Sequence, residues 1–252
     1  EGVDIDTRHF TGNHPPHASI DGTLSTSSPN EDTVWMEVVP KTEIKPDTHN
    51  FIEVKSWERL NYIRLNIYPD GGVARLRIYG HPIPAWQQHD PTGVHELSAI
   101  TNGGHIVGYN DAHYGNPWVI LSPGRGVDMG DGWETRRRRE PGNDWIIIAL
   151  GARGIVEQIE LDTAHFKGNY PDRCSVEATT LEDTNETSLI HEGVNWLNLM
   201  DEQKLSMDRI HTFDSDKINS IGPASHLRLS IYPDGGVSRF RAFGRLASPE
   251  TI

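Results

Sequence analysis

The amino-acid sequence predicts an all-β protein made of two tandem β-sandwich domains, and three observations carry this prediction. The 252 residues include 24 glycines and 16 prolines, which are too many helix breakers for a helical bundle and suit short strands joined by turns. Apolar and polar residues alternate over short runs, as in strands with one buried face. The chain also repeats itself, so that one set of strands is predicted twice.

The repeat is clearest in two pairs of segments. Residues 61–80 read NYIRLNIYPDGGVARLRIYG, and residues 225–244 read SHLRLSIYPDGGVSRFRAFG. Upstream, residues 5–13 (IDTRHFTGN) match residues 161–169 (LDTAHFKGN) in the same order. We therefore predict a first repeat over residues 1–80, a linker over residues 81–93 and a second repeat over residues 94–252.

The two predicted repeats differ in length, because residues 94–160 have no counterpart before Ile5. By the logic of a duplication, roughly 55–65 residues of the first repeat are expected upstream of this sequence. The first domain is therefore expected to be N-terminally incomplete.

Each repeat contains one strongly alternating segment. Ile63, Leu65 and Ile67 alternate with polar residues before a Pro-Asp-Gly-Gly turn, and the alternation resumes after it. This pattern predicts a β-hairpin over residues 62–79 and an equivalent hairpin in the second repeat. Residues 194–207 are predicted as a structured loop. Further strands are predicted at Val3–Ile5, Phe51–Val54, Trp118–Leu121, Trp145–Leu150, Val156–Leu161 and Cys174–Thr180.

The composition argues against nucleic-acid binding and against a membrane-spanning helix, and it suggests a cellular location. With 23 Lys and Arg against 36 Asp and Glu, the formal net charge is −13, so the chain repels phosphate backbones and broad nucleic-acid binding is not expected. No apolar run approaches the length of about 18–20 residues that a membrane-spanning helix needs. The one cysteine, Cys174, falls in a predicted strand and is predicted to pack in the core. A single cysteine and the lack of a Ser-Lys-Leu ending make the cytoplasm the expected location.

Six arginines recur on the two predicted hairpins. They are Arg64, Arg75, Arg77, Arg228, Arg239 and Arg241. Guanidinium groups at cross-strand distance repel each other, so they need acidic partners. Two interpretations stay open: the arginines bind a substrate carboxylate, or they pair with acidic residues of neighbouring strands such as Asp4, Asp6 and Asp162.

The motif Asp-Thr-x-His-Phe-x-Gly-Asn combines a carboxylate, a hydroxyl, an imidazole and an amide. His9 and His165 are candidate acid–base residues, and Asn13 and Asn169 are candidate ligands for a polar ureido group. The alternative is a strand end followed by an Asn/Gly turn, with the histidine as a capping residue.

The Pro-Asp-Gly-Gly segments add Asp70 and Asp234 as candidates for acid–base work, although a turn alone also explains an aspartate there. The repeat further aligns His49 with His211, which makes both candidates for proton transfer or metal binding.

A third motif, GWETRRRR at residues 132–139, is unusual in an acidic protein. Glu134 is a further candidate for acid–base work, and Arg136 and Arg137 are candidates for binding an anion. The alternative is a solvated run of charges.

Together these motifs resemble those of the allantoicase family. The resemblance rests on the paired R-L-x-I-Y-P-D-G-G-V-x-R-x-R segments, on D-T-x-x-F-x-G-N-x-P and on G-W-E-T-R-R-R-R-x-P-G-x-D-W, in the family's order over nearly the whole chain. It implies two jelly-roll domains of the galactose-binding-like type. It also implies hydrolysis of allantoate to ureidoglycolate and urea in purine (allantoin) degradation.

The resemblance also implies roles for the candidate residues. Allantoate carries one carboxylate and two ureido groups, so the recurring arginines are expected to anchor the carboxylate. The acid and the base are expected among His9, His165, Asp70, Asp234 and Glu134. A divalent metal such as manganese is compatible with the resemblance, but the sequence shows no clean ligand set for it.

The expected partners are allantoate as small-molecule substrate and further copies of the chain in a homo-oligomer. Two other functions stay open. One is a non-catalytic ligand- or carbohydrate-binding β-sandwich protein, and the other is a degenerate homologue without activity.

Overall fold

The computed structural model describes residues 1–55, 58–80, 82–84, 86, 90, 92–181, 186–190 and 193–247. The chain forms two compact units, Glu1–His81 (unit 1) and Pro82–Ile252 (unit 2). Of the predicted linker, residues 81, 85, 87–89 and 91 lie outside the described residues. Among the described residues there is no helix long and apolar enough to cross a membrane.

Unit 1 is a sandwich of two three-stranded antiparallel sheets. Its strands are β1 (Gly2–Asp6), β2 (His17–Thr23), β3 (Met36–Glu43), β4 (His49–Glu53), β5 (Tyr62–Tyr68) and β6 (Arg75–Tyr79). One sheet has the strand order β4-β1-β6 and the other has the order β3-β2-β5. Apolar side chains of both sheets meet in one core that includes Ile5 and Ile20.

Unit 2 is a larger sandwich. Its strands are β7 (His95–Glu96), β8 (His105–Tyr109), β9 (Trp133–Glu134), β10 (Asp144–Asp162), β11 (Arg173–Thr179), β12 (Leu197–Lys204), β13 (Ile210–Phe213), β14 (Ala224–Tyr232), β15 (Gly236–Val237) and β16 (Arg239–Leu246). Short 3-10 helices span Ile100–Asn102, Pro117–Leu121 and Glu186–Ile190. The main sheet runs β12-β11-β14-β10-β16-β7, with β8 and β13 also paired to β10. The all-β prediction with tandem sandwiches is confirmed.

Strand β10 passes through both layers of unit 2. Its first half pairs with β14 and β8, and its second half pairs with β16 and β13. The register with β14 shifts between Ala149 and Gly154. The two strands predicted at Trp145–Leu150 and Val156–Leu161 are therefore one strand, because the glycine-containing stretch between them is an irregularity and not an end.

The two predicted β-hairpins are wrong. Strand β5 pairs with β2 in one sheet, whereas β6 pairs with β1 in the other. In unit 2, β14 and β16 likewise pair with different halves of β10. Alternation shows that a strand buries one face, but it does not show which sheet the strand joins. The Pro-Asp-Gly-Gly segment is therefore a corner between two sheets.

This corner explains why two motifs repeat together. In unit 2, Gly236 N donates a hydrogen bond of 2.8 Å to Asn169 O, at the end of the Asp-Thr-x-His-Phe-x-Gly-Asn loop. A Cβ added to Gly236 would lie 2.0 Å from the ring of Phe166. The same contacts recur in unit 1. Glycine is needed because the phenyl ring packs directly on the main chain.

Smaller predictions had mixed outcomes. Strands β1, β4 and β11 overlap the strands predicted at Val3–Ile5, Phe51–Val54 and Cys174–Thr180. The strand predicted at Trp118–Leu121 is instead a 3-10 helix, whose start is capped by the side chain of Asn116. The loop predicted over residues 194–207 contains strand β12.

Cys174 lies in the core of unit 2, as predicted. The side chain is fully buried, and burial raises the pKa of its thiol to about 12. Its counterpart in unit 1 is Ala18, which occupies the same register position opposite a core isoleucine.

Candidate active site

Residues from all three sequence motifs meet at one corner of unit 2, which we call the motif corner. It consists of Glu134, Thr135, Asn169, Asp234, Gly235 and Gly236. Strand β9 pairs antiparallel with β15, which sets Glu134 opposite Gly236. Thr135 N donates to Gly235 O at 3.1 Å. This hydrogen bond connects the GWETRRRR motif to the Pro-Asp-Gly-Gly corner.

Glu134 is the central carboxylate of the motif corner. Its side chain is half-buried, and Asn169 Nδ2 donates a hydrogen bond to its Oε1. His113 N and Tyr114 N both donate to Glu134 O, at 2.9 and 3.1 Å, which fixes the main chain. A carboxylate on rigid backbone, with one oxygen held by an amide, is suited to take a proton from water and return it.

The aspartates of the two corners differ in exposure. Asp234 Oδ2 accepts a hydrogen bond of 2.8 Å from Arg138 N, which gives this carboxylate a structural role in unit 2. Asp70, its counterpart in unit 1, is exposed. Within the motif corner this leaves Glu134 as the carboxylate better placed for proton transfer.

His9 and His165 adopt the same unusual backbone conformation, with φ of 74° and 70°. Their main-chain N–H groups donate to Asp47 Oδ1 and Asp208 Oδ1, each at 2.8 Å. The ring of His165 donates from Nε2 to Gly126 O at 2.8 Å, whereas His9 is exposed. Both histidines therefore shape a tight loop, and in the described residues neither ring hydrogen-bonds to the motif corner.

Arg77 joins an acidic network in unit 1. Its Nη1 lies 2.8 Å from Asp4 Oδ2 and 3.1 Å from Asp6 Oδ2. Arg8 hydrogen-bonds to both carboxylate oxygens of Asp6, and chiefly for that reason the pKa of Asp6 lies well below its usual range. His49 Nδ1 donates to Asp4 Oδ2 at 2.8 Å. For Arg77 the contacts match the acid-pairing interpretation.

Arg228 pairs with an acid and stacks on a tryptophan. Its Nε donates to Glu177 Oε2 at 2.8 Å, and its Cζ lies 5.0 Å from the centroid of the Trp196 ring. Arg64 repeats this arrangement with Asp21 and the ring of Trp35 in unit 1. These guanidinium groups therefore already have partners on their own sheets.

Arg228 also lines a polar groove of ≈ 560 Å³ in unit 2, which we call the outer groove. The outer groove is further lined by Asn143, Ser175, Glu177, Asp201 and Tyr232. Its lining provides carboxylates, amides and hydroxyl groups. Besides the motif corner, the outer groove is therefore a place in unit 2 that suits a small polar molecule.

Of the remaining sheet arginines, Arg239 and Arg241 also have acidic partners. Arg239 is buried, and its Nη2 lies 2.7 Å from Asp131 Oδ2. Arg241 Nε lies 3.7 Å from Glu96 Oε1. Arg75 is exposed on β6. Arg239 is thus a structural residue, since a substrate would have to displace packed side chains to reach it.

Arg136 and Arg137 follow Glu134 closely in sequence, and both are exposed. Arg136 N donates to Asp111 Oδ2 at 2.7 Å, which anchors the main chain of this segment. The Arg136 guanidinium group donates from Nη2 to Glu140 Oε1 at 3.4 Å. Asn13, the counterpart of Asn169, is exposed in unit 1. Among the candidate binding residues, Asn169 contacts the Glu134 side chain, and Arg136 and Arg137 follow Glu134 within three residues of the chain.

The alignment of His49 with His211 is wrong by one residue. His49 lies opposite Asp6 in the register, and Ile210 lies opposite the equivalent Asp162. His211 takes the place of Asn50: its Nδ1 donates to a main-chain carbonyl, and its Nε2 accepts from Ser206 N at 2.8 Å. Burial lowers the pKa of His211, so this ring is a neutral structural group.

A divalent metal does not fit the described residues well. Asp4, Asp6 and His49 offer ligand atoms within 4.8 Å of one another, and they are the one such group in the described part of the chain. However, the guanidinium groups of Arg8 and Arg77 already place positive charge on the same oxygens. A manganese ion would have to displace Arg77 to reach these oxygens.

Sequence reasoning missed one ion pair close to the motif corner. Asp144 is buried at the start of β10, and Arg138 Nη2 lies 3.4 Å from its Oδ1. The sequence signal for Asp144 is weak, a single acid before the apolar run of β10. Nothing in the run of four arginines marks Arg138 as the one that turns inward.

Comparison with known proteins gives consistent matches. A family model described as the allantoicase repeat matches residues 1–83 and 95–247. A relative named probable allantoicase 1, from Burkholderia mallei, is 49% identical over 247 residues, which are 98% of this chain and 73% of the relative. A probable allantoicase from Pseudomonas paraeruginosa is 49% identical over 250 residues, covering 99% of this chain and 75% of the relative.

Solved structures agree with the sequence matches. The crystal structure of allantoicase from Saccharomyces cerevisiae is similar, with a TM-score of 0.77 and 37% sequence identity. The match covers 96% of this chain and 72% of the yeast chain. The likeness therefore extends over both units.

Proposed function

This chain belongs to the allantoicase family, and from that premise we propose that it hydrolyses allantoate to ureidoglycolate and urea at the motif corner of unit 2. In this reaction the bond between the central carbon of allantoate and one ureido nitrogen breaks. The oxygen of water ends on the carbon, and its two protons are shared between the new hydroxyl group and the departing urea.

The reaction needs one group that takes a proton from water and one that gives a proton to the leaving nitrogen. Glu134 serves both steps in turn, because a carboxylate that has accepted the proton of water becomes the acid for urea. The hydrogen bond from Asn169 holds Oε1 and leaves the other carboxylate oxygen for the reacting water. Asn169 also offers an amide oxygen to the N–H groups of a ureido group.

Arg136 and Arg137 bind the carboxylate of allantoate. Both guanidinium groups are exposed and lie within three residues of Glu134. A charge-assisted hydrogen bond of this kind contributes about 1.5–3 kcal/mol. The arginines of the sheets are less suited. Arg64, Arg77 and Arg228 pair closely with carboxylates of their own sheets, and Arg239 pairs with Asp131. The contacts of Arg136 with Asp111 and Glu140 are longer, at 3.7 and 3.4 Å.

One observation supports this assignment most strongly. Three motifs that are far apart in the sequence contribute Glu134, Asn169 and Asp234 to one corner, and Asn169 hydrogen-bonds to the Glu134 carboxylate. A loop needed only for packing requires the glycines and the phenylalanine of the corner, but it does not require a carboxylate held by an amide.

The non-catalytic alternative has less support. Carbohydrate-binding modules present free aromatic faces to a sugar, whereas Trp35 and Trp196 are half-buried and covered by Arg64 and Arg228.

The test is urea release from allantoate by the purified protein, with and without added manganese. We expect urea and ureidoglycolate in equal amounts. A protein that binds allantoate but releases no urea under either condition contradicts the proposal and favours a degenerate homologue.

We further propose a cytoplasmic homo-oligomer. The one cysteine is buried and unpaired, as suits a reducing compartment, and large apolar side chains such as Phe51 and Val127 are 70% and 78% exposed. Cell fractionation and sedimentation of the purified protein test these two points.

A further inference from the structure

Arg138 differs from its neighbours in the run of four arginines. Its side chain is 16% exposed, whereas that of Arg136 is 62% exposed. Arg137 and Arg139 are also exposed. The run is therefore not one solvated face, since a single member points into unit 2.

Arg138 is held both by its main chain and by its guanidinium group. Its main-chain N–H donates to Asp234 Oδ2 at 2.8 Å, in the motif corner. Its Nη2 donates to Asn143 O at 3.0 Å and lies 3.4 Å from Asp144 Oδ1. Gly142, whose φ of 127° favours glycine, lies against the guanidinium group. Arg138 thus ties the segment after Glu134 to the start of β10.

The partner of Arg138 is itself held rigidly. Asp144 is 2% exposed, and its Oδ1 also accepts a hydrogen bond of 3.2 Å from Asn110 Nδ2. A buried carboxylate strongly favours one position for the cation that neutralises it. The guanidinium group is therefore fixed, and the main chain of Arg136 and Arg137 is fixed between it and Glu134.

We propose that Arg138 is a positioning residue for the allantoate site. It does not touch the substrate; it holds the segment of Arg136 and Arg137 at the distance from Glu134 that the reaction needs. This inference rests on the proposed function. A displacement of about 1 Å in such a segment can lower a reaction rate about 100-fold, so a small loss of order at Arg138 has a measurable effect.

The test compares Arg138→Lys with Arg139→Lys, a matched control in the same run. Lysine keeps the charge but cannot bond to Asn143 O and Asp144 together. We expect Arg138→Lys to lower kcat/KM for urea release at least tenfold and to weaken allantoate binding in calorimetry. Arg139→Lys should change neither. Equal activity and binding in the two variants would overturn the proposal.

A second variant separates positioning from stability. Arg138→Gln/Asp144→Asn removes both buried charges together, so its thermal unfolding temperature is expected near that of the wild type. If Arg138 is a positioning residue, kcat/KM stays low in this variant. Recovery of wild-type kcat/KM would show that Arg138 only neutralises Asp144.

The calorimetric readout distinguishes the two proposals. Wild-type protein that binds allantoate without releasing urea contradicts the proposed reaction, and Arg138→Lys still tests positioning through binding. Wild-type protein that neither binds nor hydrolyses allantoate overturns both.

Discussion

At the scale of single residues, buried aspartates of this protein are paired with arginines. Asp4 and Asp6 share the guanidinium group of Arg77, and Asp144 faces Arg138. Each carboxylate is removed from water, and a buried charge is tolerated only when it is paired and hydrogen-bonded. The first of these networks accounts for Arg77, which the sequence alone presents as a free candidate for substrate binding.

The pH dependence of unit 1 follows from Asp6. Hydrogen bonds from Arg8, and then from Arg77, hold the pKa of Asp6 well below its usual range. The pKa of Asp6 in the unfolded chain is about 4, so this carboxylate stabilises the fold above about pH 4 and loses its contribution as the pH falls below that value. Denaturant unfolding midpoints should fall over this window.

Asp6→Asn is the matching variant. It is expected to unfold more readily at neutral pH and to show a smaller fall in midpoint between neutral pH and about pH 3. Asp32→Asn, in an exposed loop, serves as the control and should behave as the wild type. An unchanged pH profile in Asp6→Asn would contradict the role given to Asp6.

At the scale of elements, the sheet-to-sheet corner organises both units. In unit 2 the corner requires glycine at the position where its main chain packs against Phe166. It also brings Asn169 to β9. Packing and the candidate chemistry therefore depend on the same few residues.

Gly236→Ala tests the corner. The added Cβ would lie 2.0 Å from the Phe166 ring, so ring or main chain has to move, which costs about 1–3 kcal/mol of unfolding free energy. Gly168→Ala is the control, because no atom lies within 4 Å of its added Cβ. Equal stability of the two variants in denaturant unfolding would contradict the close packing.

Sequence patterns predict the strands better than their pairing. The alternation in β5 and β6 is correct for each strand, yet the hairpin is wrong because the pattern carries no information about the neighbouring strand. Glu134 and Asn169 could be found from their motifs. The inward turn of Arg138 could not, since it depends on Asp144, which meets it only in the folded unit.

At the scale of the whole molecule, the two units share a topology and several motifs. Each has the same corner, the same stacked arginine and tryptophan, and the same unusual histidine conformation. In unit 2, Glu134 and the arginine segment also lie at this corner. The shared motifs thus maintain the same architecture in both units.

Glu134 is the residue proposed to carry the proton transfers of allantoate hydrolysis, and the initial rate of urea release by Glu134→Gln tests this most directly. Glu157→Gln is the matched control, because Glu157 pairs with Arg245 across strands β10 and β16 and has no contact with the motif corner among the described residues. We expect Glu134→Gln to lower kcat about 100-fold or more, with an unchanged unfolding temperature, while Glu157→Gln keeps wild-type kcat. A Glu134→Gln protein that releases urea at the wild-type rate would contradict the account.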